Sequence, residues 1–369
     1  MNIPLMDLKA QYLSLKNEIM HAIERVIDSG QYIGGPEVRQ FEQEMAAYTK
    51  AKYAVSTANG TDALVLALDA CGIGPGDEVI TSPYTFFATA EAIARVGATP
   101  IFADIDEKTY NLCPEKTEEK VTEKTKAIIP VHIFGQPADM EAFMDIAKLH
   151  NLYVIEDACQ ALGATYKGEP VGSIGHVGCV SFFPTKNLGG YGDGGIVVTN
   201  SKDIAEKVRL LAHHGSRKKY YHEIIGYNSR LDELQAAILR IKLKHLNEWN
   251  KLRQQKAAIY SKHLQDLELI VPFNHPDVRS VYHLYIIQSE KRQQLADYLK
   301  KKGVATGHYY PCPLHLQKAF SYLGYKESAF PISEVLSRRA VALPMFPQLK
   351  NEQQEYIISV LKKFTGESR

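Results

Sequence analysis

The chain has 369 residues, of which 45% are hydrophobic and 23% are charged, and these ordinary globular values argue against a disordered protein. At about 150 residues per domain, this length predicts two to three domains rather than one compact unit. The 43 Lys and Arg against 42 Asp and Glu leave a formal net charge of +1. That balance removes the electrostatic argument for a general nucleic-acid-binding protein, but it leaves a local phosphate site open.

No apolar run approaches about 18 residues, so no membrane helix is expected. The segment Met1–Asp7 lacks a basic region followed by an apolar one, so we expect no signal peptide. The five cysteines are widely spaced and form no CxxC pair. This usage favours a reduced, cytoplasmic protein without structural zinc.

Apolar residues repeat at intervals of three and four over the first 30 residues and predict a helix that ends at Gly30, followed by a second helix near Glu37. From residue 53 onward, short β-rich runs alternate with helical periods. This alternation predicts an α/β fold with a mainly parallel central sheet flanked by helices. The predicted strands are 53–55, 78–80, 100–103, 127–133, 153–155, 177–183 and 196–199, and the predicted helices are 61–71, 88–96 and 139–150.

A long helical period from Leu231 to about His263 leads into the last third of the chain. Beyond it we predict strands at 281–288 and 304–307, and helices at 292–302, 332–342 and 351–364. The predicted organisation is therefore a large domain over residues 1–250, including the N-terminal helical segment, and a small C-terminal α/β domain over residues 251–369.

The segment SFFPTKNLGGYGDGG presents one lysine, Lys186, between a strand that ends at Ser181 and a stretch with five glycines in seven residues. Glycine lets the backbone pack closely around a ligand or adopt positive φ. A lysine held there loses solvation, which lowers its pKa and makes it a nucleophile toward a carbonyl. The alternative is a solvated loop lysine, and two further segments bear on that choice.

Asp157 ends another predicted buried strand, so Asp157 and Lys186 both fall at the carboxyl ends of strands, where ligands bind to parallel sheets. An acid at this place either holds a protonated ring nitrogen or caps a helix. Gly60 and Thr61 begin a helix after a third strand, where free amides suit a phosphate, although an ordinary capped helix start has the same pattern. Together these are the parts of a pyridoxal 5'-phosphate (PLP) site.

The ordered motifs NGTDAL, TSPYTFFAT, VIEDACQALGA, SFFPTKNLGGYGDGG and GYNSRLDELQAA resemble those of the DegT/DnrJ/EryC1/StrS family of sugar aminotransferases. Members of this family are fold-type-I PLP-dependent enzymes. The match extends from IPLMDLKAQY to HYYPCPLHLQ and so covers nearly the whole chain. The resemblance implies that the large domain binds PLP and that the reaction is transamination.

The resemblance also implies roles for individual residues around the cofactor ring. Lys186 would bond to the cofactor and later move the proton, and Asp157 would pair with the pyridinium nitrogen. Gln160 would contact the ring hydroxyl, and Phe86 would stack on the ring, whereas its neighbour Phe87 is expected in the core. Some relatives carry histidine at the lysine position and are dehydratases, so the lysine here favours a transaminase.

The cofactor phosphate would be held by Gly60, Thr61 and Ser181. Asn228 is expected to reach the phosphate of the cofactor in the other subunit. A homodimer with shared active sites follows from that assignment.

The family acts on keto sugars attached to a nucleoside diphosphate, whose negative charges need partners. Arg217 and Lys219 belong to a short basic run that would bind the diphosphate, although such a run is usually a solvated face. Tyr310 and His315 resemble a substrate-facing loop of relatives, with local packing beside prolines as the alternative. His213, His214 and His222 lack a carboxylate or cysteine at ligand spacing, so no metal site is expected.

The stretch HHGSRKKYYHEIIGYNSRLDELQAA looks most like enzymes that aminate C3 of dTDP-3-keto-6-deoxyhexoses, with L-glutamate as the expected amino donor. Enzymes that act at C4, or on UDP-linked sugars, share much of this pattern. Two other hypotheses stay open. One is another PLP-dependent reaction such as a dehydratase or lyase, and the other is a non-catalytic or regulatory sugar-nucleotide-binding protein.

Overall fold

The computed structural model describes residues 1–367. The helices are α1 Leu8–Ser29, α2 Pro36–Thr49, α3 Gly60–Ala70, α4 Ala88–Arg95, α5 Pro114–Glu118, α6 Met140–His150, α7 Lys202–Ala212, α8 Glu233–Leu243, α9 Leu246–Leu264, α10 Arg292–Lys301, α11 Pro331–Arg339 and α12 Asn351–Glu367. The strands are β1 Tyr53–Thr57, β2 Glu78–Thr81, β3 Thr99–Phe102, β4 Thr125–Ile129, β5 Tyr153–Asp157, β6 Thr165–Tyr166, β7 Glu169–Pro170, β8 Val177–Ser181, β9 Gly195–Thr199, β10 Val278–Arg279, β11 Tyr285–Gln288 and β12 Ala340–Leu343.

Helix α1 shows how local sequence fixes an element. The carboxylate of Asp7 accepts a hydrogen bond from the backbone N–H of Ala10 at 2.9 Å, which satisfies a free donor of the first turn. The helix ends at Gly30, whose φ of +63° is the left-handed conformation that glycine adopts without steric cost. Its buried face, which includes Leu15 and Ile19, packs against apolar residues of α8.

Within residues 1–367, a seven-stranded sheet has the order β1-β9-β8-β5-β4-β2-β3. Strands β3, β2, β4, β5 and β8 are parallel to one another, and β9 is antiparallel to both of its neighbours, β8 and β1. Successive residues of β5 pack into different apolar clusters, Val154 into one and Ile155 into the other. Both faces of the sheet are therefore covered, as the apolar strand sequences predict, and the predicted α/β class with a mainly parallel sheet is confirmed.

A second, two-stranded sheet pairs β11 with β12 antiparallel. One of its faces packs with α9, α10 and α12 in an apolar cluster that also contains Ile3, which is fully buried. Ile3 forms an isolated parallel bridge with Val304, so the first residues of the chain belong to this C-terminal core. Helix α9 passes through residue 250, and the domain division at that residue stays a prediction.

Several predicted elements differ from the structure. The predicted strand 127–133 ends at Ile129, because Pro130 has no N–H to donate and residues 133–135 form a 3-10 turn. The helical period 231–263 is two helices, α8 and α9. The predicted strand 281–288 is shortened to β11, and 304–307 makes only isolated bridges. The predicted helix 332–342 ends at Arg339, because the next four residues are fully buried and pair with β11 as β12.

No helix within residues 1–367 is both long enough and apolar enough to cross a membrane.

We expect Gly178→Ala to destabilise the fold, because a Cβ at this position in β8 would lie 1.9 Å from the carbonyl oxygen of Gly172. Overpacking of this kind lowers the free energy of unfolding by about 1–3 kcal/mol. Gly74→Ala is the matched control, since its Cβ would meet its nearest atom, the Val96 oxygen, at an ordinary 3.7 Å. Denaturant unfolding of both variants checks the difference, and equal stabilities would contradict the close packing at Gly178.

Candidate active site

A cavity of about 870 Å³ opens where the parallel strands end. Its lining includes the carboxyl ends of β5 and β8, the first turn of α3 and residues of α4. It also includes residues of the C-terminal core, and Leu5 and Met6 near the start of the chain. The predicted site residues that line this cavity are Gly60, Thr61, Phe86, Asp157, Gln160, Ser181, Lys186 and Tyr310.

Asp157 is the last residue of β5 and is 6% exposed. Its Oδ2 accepts a hydrogen bond from the Thr89 hydroxyl at 2.8 Å, and its Oδ1 accepts one from the Cys159 N–H at 3.2 Å. A carboxylate has about four lone-pair sites, so these two bonds orient the group and leave it capacity for one more donor. A protonated pyridine nitrogen is such a donor.

The neighbouring carboxylate, Glu156, is fully buried and does not line the cavity. It accepts hydrogen bonds from the N–H groups of Gly172, Ile174 and Gly175 at 2.6–2.8 Å and contacts His132 Nε2 at 2.9 Å. Glu156 therefore fixes the loop before β8 to the end of β5, which sets the position of Asp157.

Lys186 follows β8 in a turn, and its own backbone N–H donates to the Phe183 carbonyl at 2.9 Å. Burial lowers the pKa of its ammonium, while the nearby Cys159 and Asp157 act in the opposite direction. A lowered pKa increases the fraction of neutral amine, which is the form that attacks a carbonyl. The predicted desolvation of this lysine thus has its physical cause in the structure.

The first turn of α3 lies against the end of β8. A Cβ on Gly60 would come within 2.6 Å of Ser181 Cβ, so only glycine permits this approach. Asn59 caps the helix by accepting from the Asp62 N–H at 2.8 Å. The N–H groups of Gly60 and Thr61 have no intrahelical acceptor, and with the Ser181 hydroxyl they form a cradle that suits a phosphate.

Three predicted residues form the side of the cavity next to Asp157. Phe86 is 57% exposed, and its ring centroid lies 6.3 Å from that of Tyr310. Gln160 accepts from the Phe134 N–H at 2.8 Å and donates to the Tyr310 hydroxyl at 3.0 Å, which fixes its amide. All three side chains line the cavity. Phe87 instead packs on Phe320, with ring centroids 5.2 Å apart, as expected of a core residue.

Four predicted site residues do not line the cavity. Arg217 pairs with Glu223, Lys219 Nζ lies 5.0 Å from the centroid of the Tyr220 ring, and Asn228 is exposed in the same loop. His315, which was predicted to face the substrate, also lies outside the cavity lining. It is 2% exposed, and its Nε2 lies 3.1 Å from Glu334 Oε1, because the Pro-flanked turn carries it into the apolar cluster around Phe330.

The cavity also contains residues that sequence reasoning missed. His283 lies just before β11 and lines the cavity. In the sequence its only sign was a polar residue within the segment 281–288, which was predicted to be a strand. Arg95 and Glu91 lie on the cavity face of α4, and their spacing with Ala88 is the only local sign of a shared face. No group of three or more potential metal ligands occurs in the described part of the chain, residues 1–367.

These features together define a PLP-dependent aminotransferase of fold type I. The sequence model of the DegT/DnrJ/EryC1/StrS aminotransferase family matches residues 13–362, and the chain belongs to this family. The predictions of family, fold, enzyme class and cofactor are therefore confirmed, and the cofactor is PLP.

Relatives span nearly the full chain. A pleiotropic regulatory protein of Geobacillus stearothermophilus is 52% identical over 99% of both chains. A UDP-N-acetyl-3-dehydro-alpha-D-glucosamine 3-aminotransferase of Acidithiobacillus ferrooxidans is 45% identical over 98% of this chain and 97% of its own. A dTDP-3-amino-3,4,6-trideoxy-alpha-D-glucose transaminase of Streptomyces venezuelae is 44% identical over 98% and 96%.

The crystal structure of Streptomyces venezuelae DesV in complex with a ketimine intermediate is similar to this structure. Its TM-score is 0.97 at 43% identity, and the match covers 99% of this chain and 98% of that chain. The shared fold extends to both the large sheet and the C-terminal core.

Helix α8 holds the glycine-rich loop that follows Lys186. The buried Lys242 donates from Nζ to the Gly189 carbonyl and lies 5.0 Å from the centroid of the Tyr191 ring. Gln235 accepts from the Tyr191 N–H at 2.7 Å. Burial lowers the pKa of Lys242 from 10.5 to about 8.

This lowered pKa predicts a pH dependence of stability. Between pH 8 and 10.5 the unfolded chain binds more protons at Lys242 than the folded chain, so this residue makes stability rise with pH in that window. We expect Lys242→Met to lose this rise, as measured by the difference in unfolding free energy from wild type at about pH 7 and about pH 10. The exposed Lys244→Met is the control, and an identical pH profile for Lys242→Met would contradict the assignment.

Proposed function

We propose that this aminotransferase converts a dTDP-linked 3-keto-6-deoxyhexose into the 3-amino sugar nucleotide, with L-glutamate as the amino donor. Transamination rests on one observation above all: Lys186, Asp157 and the Gly60 cradle line a single cavity. The 3-position is favoured because the two named aminotransferase relatives, one for a UDP sugar and one for a dTDP sugar, both carry it in their names. The choice of dTDP follows the resemblance in the basic loop.

The cavity residues suggest a division of roles. PLP, when bound, would supply an electron sink for the negative charge that develops at the amino-bearing carbon. Lys186 would hold the cofactor through its aldehyde group and would serve as the general base for the proton on the amino-bearing carbon. Asp157, whose carboxylate is oriented by Thr89 and Cys159, would pair with the ring nitrogen and keep it protonated. Gln160 and Phe86 would orient the ring, and the amides of Gly60 and Thr61 would hold the phosphate together with the Ser181 hydroxyl.

The negative charge of the diphosphate in the proposed substrate supports a homodimer. Apart from Lys186 and Asp157, the charged residues that line the cavity are Asp62, Glu91, Asp193 and Arg95, so the described lining offers a diphosphate little positive charge. The basic loop of residues 213–228 is exposed, with Ile225 at 95%. We propose that this loop enters the cavity of a partner subunit and brings Arg217, Lys219 and Asn228 to the anionic ligands.

A regulatory role is the second candidate function, because the relative at 52% identity is named a pleiotropic regulatory protein. The intact Lys186, Asp157 and Gln160 favour catalysis over binding alone. A cytoplasmic location stays a prediction.

Lys186→Ala should abolish turnover and the visible absorption band of lysine-bound PLP, because no other residue in the proposal supplies both nucleophile and base. In wild type, borohydride should attach PLP to Lys186, as read by peptide mass spectrometry. A panel of dTDP- and UDP-linked 3- and 4-keto sugars with L-glutamate or L-glutamine identifies the substrate pair. Lys186→Arg is the matched control, since it keeps the charge but cannot form the bond.

Full turnover by Lys186→Ala would overturn the mechanism. Absence of the band in wild type would favour the regulatory candidate. Preference for a UDP or a 4-keto sugar would overturn the proposed substrate while leaving transamination intact.

Mixed dimers test whether the sites are shared. Lys186→Ala and Asn228→Ala are each expected to be inactive alone or nearly so. If each site uses Lys186 of one subunit and Asn228 of the other, mixing them after reversible dissociation should restore about one quarter of wild-type turnover.

Absence of recovery, with dimers confirmed by light scattering, would show that Asn228 acts in its own subunit. Arg217→Ala with Lys219→Ala should instead raise KM for the sugar nucleotide and leave the visible band unchanged.

A further inference from the structure

His283 is a buried cavity residue whose imidazole has no hydrogen-bond partner among the described residues. It lines the cavity and is 6% exposed. Its Nδ1 is buried without a hydrogen bond, and neither ring nitrogen bonds to any of residues 1–367. Because leaving a buried polar atom unpaired costs free energy, such an atom in an active-site wall points to a partner that arrives during the reaction.

The backbone around His283 is held on three sides. Arg253 Nη1 donates to the His283 carbonyl at 3.4 Å. The Val281 N–H donates to the Gly135 carbonyl at 3.0 Å, and the Leu284 N–H donates to the Phe134 carbonyl at 3.3 Å. The imidazole is therefore placed by rigid surroundings rather than by a bond of its own.

The same segment is tied to the catalytic lysine. Asn187, the residue after Lys186, donates from Nδ2 to the Val281 carbonyl at 3.1 Å. Lys186 and His283 line the same cavity. Burial lowers the pKa of His283 well below its usual value, and the positive charges of Lys186 and Arg253 lower it further. His283 is thus a neutral imidazole near the lysine, and one of its ring nitrogens is an acceptor.

We propose that His283 Nδ1 accepts a hydrogen bond from the Lys186 ammonium whenever that lysine is not bonded to the cofactor. His283 is then a positioning residue, which holds the displaced lysine between its two proton transfers while the proton stays on the lysine. The inference rests on the proposed role of Lys186.

Other features around Lys186 and His283 also affect the protonation of the lysine. Asp157 and Cys159 favour the charged form of Lys186, and burial opposes it. A neutral acceptor such as the His283 imidazole acts in the same direction as Asp157 and Cys159, because a hydrogen bond to the ammonium stabilises the charged form of Lys186. Removal of the acceptor should therefore lower the pKa of the displaced lysine.

The test uses full-length protein loaded with pyridoxamine 5'-phosphate, in which Lys186 is free. Its pKa is read from the pH dependence of labelling by an amine reagent, quantified for the Lys186 peptide by mass spectrometry. We expect His283→Leu to lower this pKa by about one pH unit. His283→Asn, whose amide occupies the place of Nδ1, should keep the wild-type value, and His283→Gln should not.

An unchanged lysine pKa in His283→Leu would overturn the proposal. So would a raised KM for the sugar as the sole effect, since that result makes His283 a substrate contact. Both outcomes are separate from failure of the proposed function, which removes the visible band of the wild type.

If His283→Leu does not fold, wild-type protein still decides the question. A 15N spectrum of histidine-labelled protein should show the proton of His283 on Nε2 and a bare Nδ1. A proton on Nδ1 would overturn the proposal.

Discussion

The buried carboxylate of Glu156 is the constraint on which the rest of the site depends. It ties three backbone N–H groups of the loop before β8 and the ring of His132 to the end of β5. A carboxylate that accepts this many hydrogen bonds is stabilised in the interior, whereas the same group without them would be strongly destabilising. Since β5 carries Asp157 and β8 leads to Lys186, this one side chain sets the spacing of the two residues that the chemistry uses.

The sequence predicted the large sheet well because its strands are apolar on both faces, as Val154 and Ile155 show. It failed where long-range pairing decides the local structure. Residues 340–343 continue a helical apolar period, yet their burial against β11 makes them a strand. Likewise, nothing local separates α8 from α9 in a single helical period.

The same distinction between local pattern and long-range contact applies to the residues of the candidate site. Lys186, Asp157 and Gly60 were predictable because each follows a strand in a parallel sheet, and such ends meet at one edge. His283 and Arg95 come from segments whose only link to the site is the tertiary fold. His315 shows a second limit of prediction from sequence. A motif identifies a residue but does not state which side of a turn its side chain faces. Here the ring is buried against Glu334.

The start of the chain is joined to its C-terminal half through Ile3 and Val304, and Leu5 and Met6 then line the cavity. Residues near the start of the chain therefore form part of the cavity lining. This arrangement matters for protein engineering. An affinity tag or fusion partner joined to residue 1 would begin only a few residues from the side chains of Leu5 and Met6 that line the cavity.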